Sequence, residues 1–215
     1  MKISKSTEKK WLIFLILFHI IGILGMNWNK TAPYVLPLTP WIILASFILS
    51  LFFQQPLKGS LIVLLIAITV CGFLAEYAGV STGWIFGSYF YTDVLGSKFW
   101  GIPWIMGITW ASLTYYTAQI QWFGIRNIWI TSIISALLMT AYDVVLEPVA
   151  MKFHFWIWKN ETIPMRNYIA WLLISFIFQY ALQRSGIPYK NKFAGKIFWI
   201  QLAFFGGIAA LIRWY

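Results

Sequence analysis

Residues 131–150 read TSIISALLMTAYDVVLEPVA, an apolar run in which two carboxylates, Asp143 and Glu147, stand one helical turn apart. Desolvating an ionisable side chain inside a membrane span is costly, so such residues usually serve function. A second run, LLIAITVCGFLAEYAG at 64–79, carries Glu76. The chain has only six acidic residues, and three of them lie where a bilayer-embedded protein tolerates charge least. The pattern predicts membrane helices that meet around a proton-handling site.

The 215 residues are 60% hydrophobic, 20% aromatic and 10% charged, with a mean hydropathy of +0.74. This is the profile of a polytopic membrane protein. One all-α bundle is expected to fill residues 1–215. A net charge of +10 raises nucleic acid as a partner, but the sixteen Lys and Arg fall mostly between apolar runs, as membrane topology requires. No nucleic-acid partner is therefore expected, and membrane lipid is. Cys71 is the single cysteine, which excludes an intrachain disulfide and a cysteine-based metal cluster. It reads as a packing residue.

Apolar runs at 11–27, 37–53, 60–78, 102–120, 127–147, 168–183 and 196–214 each approach the roughly 20 residues a bilayer core demands. Seven transmembrane helices are expected. Six remain an alternative, because Pro37, Pro40, Gln54, Gln55 and Pro56 leave the second run short. The basic start MKISKSTEKK and the apolar WLIFLILFHIIGILG imitate a secretory signal, but no Ala-x-Ala site follows and Trp28 reads as an interfacial anchor. That segment is read as the first span. The termini show no lipidation motif, so attachment is expected to rest on the spans. Counting Lys and Arg by loop puts ten on the N-terminal side, from Lys2 onward, and six opposite, ending with Arg213. The positive-inside rule then gives an N-inside, C-outside, multi-pass protein of the cell membrane, expected in a bacterial inner membrane.

In that topology Glu76 ends its helix at the outer face, and Asp143 and Glu147 end theirs at the same level. Pro148 disfavours helical geometry at Glu147, so the helix is expected to stop there, leaving that carboxyl near the rim. The loops 79–101 and 148–167 emerge on the same side and are expected to roof the site. The first carries Gly79, Gly83 and Gly87 at intervals of four among Trp84, Phe86, Tyr89, Phe90 and Tyr91. This suits either a small-residue helix contact or turns with an aromatic lining.

Two carboxyls at i and i+4 share one helix face. In a low dielectric they do not both ionise readily, which is how a general acid and a general base arise from similar residues. A structural ion pair with Lys152, His154 or Arg166 is the competing reading. Tyr77 beside Glu76 and Tyr142 beside Asp143 are placed to orient the carboxyls, or to serve as interfacial belt residues. His19 and His154 form no metal-binding spacing, no dinucleotide fingerprint follows a strand, and the final span has no interior lysine for a Schiff base. No cofactor or metal is expected. Mg²⁺ held by D-x-x-x-E against a prenyl diphosphate would call for a second acidic cluster, and Glu76 and Asp93 stand alone.

The stretch EYAGVSTGWIFGSYFYTDVLGSKFWGIPWIMGITW, Glu76 to Trp110, resembles a signature of the carotenoid biosynthesis integral-membrane family, which includes carotenoid hydratases of the bisanhydrobacterioruberin hydratase and γ-carotene 1′-hydroxylase type. AYDVVLEPVA, Ala141 to Ala150, is similar to its acidic helix end. FWIWKNETIPMRNYIAW, residues 155–171, matches more loosely a W-x-W, I-P, N-aromatic-x-G-W pattern through Trp156, Trp158, Ile163, Pro164, Asn167, Tyr168 and Trp171, with Ala170 in place of glycine.

The resemblance implies addition of water to the terminal ψ-end double bond of a carotenoid such as lycopene or γ-carotene, with other carotenoid enzymes as potential partners. A trisubstituted alkene is a poor base. A carboxylic acid kept protonated by a dry site would have to deliver H⁺ to C-2, leaving a tertiary cation at C-1 that aromatic faces stabilise and water captures. Asp143, deeper in the span, is assigned as the acid and Glu147 and Glu76 as water-orienting groups; the reverse order is open. Asn167 is placed to hold the water and Arg166 to tune the carboxylates, each equally readable as a loop anchor. Trp84, Tyr89, Tyr91, Trp104 and Trp110 are candidate aromatic walls. An end-group cyclase, which begins with the same protonation, and a proton-coupled transporter are the alternatives.

Overall fold

A computed structural model describes residues 4–120, 125–187 and 190–212. Lys2 and Arg213, counted above for topology, lie outside the described residues.

Helix α1 spans Lys5–Asn27 and opens on Ser4, whose hydroxyl accepts from the Thr7 N–H as an N-cap should. A four-residue helix, α2 (Ala32–Val35), and a 3₁₀ turn at Leu36–Leu38 lead into α3 (Thr39–Phe52). The three pieces run together as one apolar stretch, Ala32–Phe52, longer than the prolines suggested. Each proline sits in the first turn of its helical piece, where no intrahelical N–H is needed.

Next come α4 (Gly59–Thr82), β1 (Tyr89–Tyr91), the hairpin of β2 (Lys98–Phe99) and β3 (Ile102–Pro103), and α5 (Ile105–Ala118). The chain closes with α6 (Ile128–Lys152), β4 (Trp156–Trp158), α7 (Met165–Arg184) and α8 (Lys192–Ile212). Among the described residues five segments have the length and composition to cross a membrane: α1, Ala32–Phe52, α4, α6 and α8. Helix α5 is only 14 residues long, about 21 Å at 1.5 Å per residue. Almost all of it is buried, packed against α3, α4, α6, α7 and α8, so it forms the axis of the bundle.

Two helices run past their expected ends. Gly83 at φ 67° supplies a left-handed cap whose N–H bonds Gly79 O at 2.8 Å, so α4 continues well beyond Glu76. Helix α6 passes through Pro148 to Lys152. Its packing against α7, the most extensive helix pair in the bundle, outweighs the lost N–H and the steric preference at Glu147. That residue is 1% exposed, so it is a core side chain and not a rim group. With Gly87 at φ 120°, the segment after α4 is a turn lined by aromatics. The tight helix contact lies elsewhere, between α4 and α5. A Cβ on Gly72 would sit 2.6 Å from Trp110 Cβ, and one on Gly107 would sit 2.5 Å from the Thr69 carbonyl oxygen, the close approach that small residues permit.

Candidate active site

Strands β1 and β4 pair antiparallel, Tyr89 opposite Trp158 and Tyr91 opposite Trp156. Side chains alternate along a strand, so Phe90 and Ile157 face outward while the two tyrosines and two tryptophans face the bundle. Beneath this ribbon lie Glu76 from α4 and Asp143 and Glu147 from α6, each no more than 2% exposed.

Each inward aromatic brings a hydrogen-bond donor to a carboxylate. Tyr89 and Tyr91 donate to Glu76 Oε2 at 2.6 and 2.8 Å, and Trp110 Nε1 donates to Oε1 at 2.9 Å. Trp156 and Trp158 donate to Glu147 Oε2 at 3.2 and 3.0 Å. Asn167, in the first turn of α7, donates through Nδ2 to Glu147 Oε1 at 3.2 Å and to Asp143 Oδ2 at 2.8 Å. Asp143 Oδ1 is buried without a partner. Burial and the facing Glu76 carboxylate hold the Tyr89 and Tyr91 phenols well above the ordinary tyrosine range, so both remain protonated donors.

The donor count separates the three carboxyls. Glu76 and Glu147 each accept three N–H or O–H bonds, which occupy both oxygens of each. Asp143 accepts one, which leaves an oxygen free to carry a proton. No cation intervenes: among the described residues the ion pairs are Lys98–Asp93 and Lys196–Glu8. Lys152 reaches Asn27 Oδ1 at 3.1 Å instead, and His154 and Arg166 are exposed. The ion-pair reading of Asp143 and Glu147 therefore does not describe this molecule. Every oxygen of Glu76 and Glu147 and Oδ2 of Asp143 meet protein donors, and among the described residues no three His, Cys, Asp or Glu are grouped to hold a metal.

The three carboxyls border a cavity of about 20 Å³ with Phe86, Met106 and Trp171. On such a measure roughly 10–15 Å³ suffices for one water. Trp171, on the cavity wall, is backed by Trp110, which stacks on it at 4.2 Å and an interplanar angle of 22°.

Of the residues singled out in the sequence, Glu76, Asp143, Glu147, Tyr89, Tyr91, Trp110 and Asn167 come together here. Five do not. Tyr77 lies on the outer face of α4 against Trp100, Tyr142 turns towards Phe198 and Phe205 of α8, Trp84 is 84% exposed, Trp104 packs at a tilt against Trp41, and Arg166 is exposed. A neighbour in sequence along a helix is rotated by about 100°, so Tyr77 and Tyr142 face away from the carboxyls beside them. Trp156 and Trp158 join the site beyond the residues expected from the sequence. Their signal was the alternation in Tyr89-Phe90-Tyr91 and Trp156-Ile157-Trp158, the period of a strand with one wet and one dry face.

A family model described as carotenoid biosynthesis protein matches residues 37–211. The chain belongs to that family. Among curated proteins it is similar to bisanhydrobacterioruberin hydratase of Haloarcula japonica, with 29% identity over 135 residues, 57% of this chain and 46% of that protein. The chain thus spans less than half the length of this relative. No solved structure matches it. In this chain the blocks Glu76–Trp110, Ala141–Ala150 and 155–171 supply every hydrogen-bonding side chain of the carboxyl cluster.

Proposed function

We propose that this protein is a cofactor-independent carotenoid hydratase acting on the C1–C2 double bond of a ψ end group. The observation that carries the reading is the uneven donor count: two donor-saturated carboxylates flank one carboxyl with a free oxygen, around a cavity the size of a water and walled by rings. Asp143 gives its proton to C-2, the π pair forms the new C–H bond, and a tertiary cation is left at C-1. The faces of Trp171 and Phe86 stabilise that cation. Water in the cavity, oriented by Glu147 and Glu76, donates a lone pair to C-1. The proton it sheds passes to Glu147 and returns to Asp143, so alkene and water are consumed and the enzyme is restored. Family membership and similarity to a hydratase support the substrate class.

The cavity admits water but not an isoprenoid end group, so the β1–β4 roof has to part for substrate to enter, as lids do in many enzymes. The proposal takes residues 1–215 as one membrane domain and keeps α5 and α7 as the remaining spans of a seven-helix, N-inside bundle.

Expression in a lycopene- or γ-carotene-producing host tests the reading. Wild type should yield pigment heavier by one water and Asp143→Asn, equally inserted in the membrane, none. An isomer of unchanged mass would make the protein a cyclase, and full activity in Asp143→Asn would remove Asp143 as the acid.

A further inference from the structure

Across α6 from the carboxyls the bundle holds a second, larger cavity of about 340 Å³, within the roughly 300–1,000 Å³ of small-molecule sites. Helices α1, α2, α3 and α8 wall it, and α6 contributes only Tyr142. Helix α1 packs on α2 and α8, and α3 packs on α5 and α8, so the cavity lies in the lateral space between α1 and α3. Ile21 and Leu38 on its lining are 66% and 48% exposed, an apolar rim that faces lipid chains in a bilayer.

The walls are mostly apolar, with Thr31, Thr39 and three larger hydrogen-bonding side chains among them. His19, Tyr142 and Gln201 line the cavity and are 7%, 5% and 7% exposed. His19 Nδ1 meets the Leu15 carbonyl at 2.7 Å. A carbonyl only accepts, so Nδ1 carries the proton and Nε2 presents a lone pair in the neutral ring. The buried glutamines Gln54, Gln119 and Gln179 each find a protein partner. Among the described residues the Gln201 amide and the Tyr142 hydroxyl find none. Buried polar groups without partners cost stability unless something else satisfies them.

We propose that this cavity binds an uncharged, membrane-borne amphiphile, an apolar chain that enters sideways between α1 and α3 and carries one hydroxyl at its buried end. A hydroxyl is both donor and acceptor, so it can donate to His19 Nε2 and accept from Tyr142 or Gln201. Among the described residues no lysine, arginine or carboxylate lines the cavity, so none of them compensates a phosphate or ammonium head group. A plain hydrocarbon chain would leave all three polar groups unpaired. This site is separate from the carboxyl cluster, and the inference stands whether or not that cluster hydrates an alkene.

The test uses the full chain in dioleoylphosphatidylcholine nanodiscs, with farnesol as the probe and farnesene as its hydrocarbon control. Farnesol should bind about tenfold more tightly than farnesene, the factor expected from one added hydrogen bond. Gln201→Leu, Tyr142→Phe and His19→Phe should each shrink that preference. Tyr142→Phe removes a single atom and keeps the experiment decisive if a larger change unfolds the protein. A photoreactive farnesol should label residues 18–26 and 201–205. Equal affinity for the two probes, no binding, a preference that survives all three substitutions, or labelling confined to other segments would each overturn the proposal.

Discussion

Asn167 donates its side-chain N–H to Asp143 Oδ2 at 2.8 Å, fixing one oxygen of that carboxyl while Oδ1 stays without a partner. The same nitrogen bonds Glu147 at 3.2 Å, so a single amide on α7 spans both acidic residues of α6. Asn167→Ala should lower hydration about a hundredfold, the usual loss when a preorganised donor to a reacting group is removed. Pigment yield per inserted protein measures it, and unchanged yield would make Asn167 an anchor between helices only.

Replacing each carboxyl by its amide should separate the three by stability alone. Glu76 and Glu147 each accept three donors, so Glu76→Gln and Glu147→Gln set an N–H₂ against N–H or O–H groups. About 1–3 kcal/mol is expected for each donor left unpaired. Asp143→Asn can keep its oxygen towards Asn167 and turn its N–H₂ to the unpartnered position, at little cost. Thermal unfolding followed by tryptophan fluorescence should therefore show lower midpoints for the two glutamine variants and a near wild-type midpoint for Asp143→Asn. The reverse order would contradict the proton placement.

Gly72 lets α4 approach α5 at Trp110, the residue that donates to Glu76 Oε1. Gly72→Ala should destabilise the protein by about 1–3 kcal/mol, the range for overpacking a tight core. It should also depress hydration beyond what the lost folded protein explains, because the indole is pushed off the carboxylate. Activity normalised to folded protein is the readout, and equal specific activity would show that the Trp110 bond does not matter for turnover.

Phe90 and Ile157 are directly opposed on the outer face of the β1–β4 ribbon. Opposed Cα atoms in an antiparallel pair lie about 4.5–5.5 Å apart, within disulfide range. In a Cys71→Ser background, Phe90→Cys with Ile157→Cys should lock the roof when oxidised, stop hydration, and recover on reduction. Activity that persists in the oxidised form would place the substrate's entrance elsewhere.

Much of the architecture is local information. Apolar runs of bilayer length announce membrane helices whatever surrounds them, and carboxylates inside such runs stand out because desolvating them is so costly. That is why Glu76, Asp143 and Glu147 could be singled out from the sequence, together with the acidic face that i,i+4 spacing creates. The family blocks were legible for the same reason, being contiguous. Which side chains touch those carboxyls was not local. Tyr77 and Tyr142 are adjacent in sequence yet point away, while Trp158 arrives through an antiparallel register with Tyr89 set by segments 69 positions apart. Pro148 illustrates the same division: its steric preference is a property of two residues, and the packing of α6 on α7 overrides it. The sequence by itself determined that helices would carry three buried carboxyls into an apolar bundle. Tertiary structure decided how many donors each receives, because hydrogen-bond partners are assigned by long-range packing and not by neighbours along the chain.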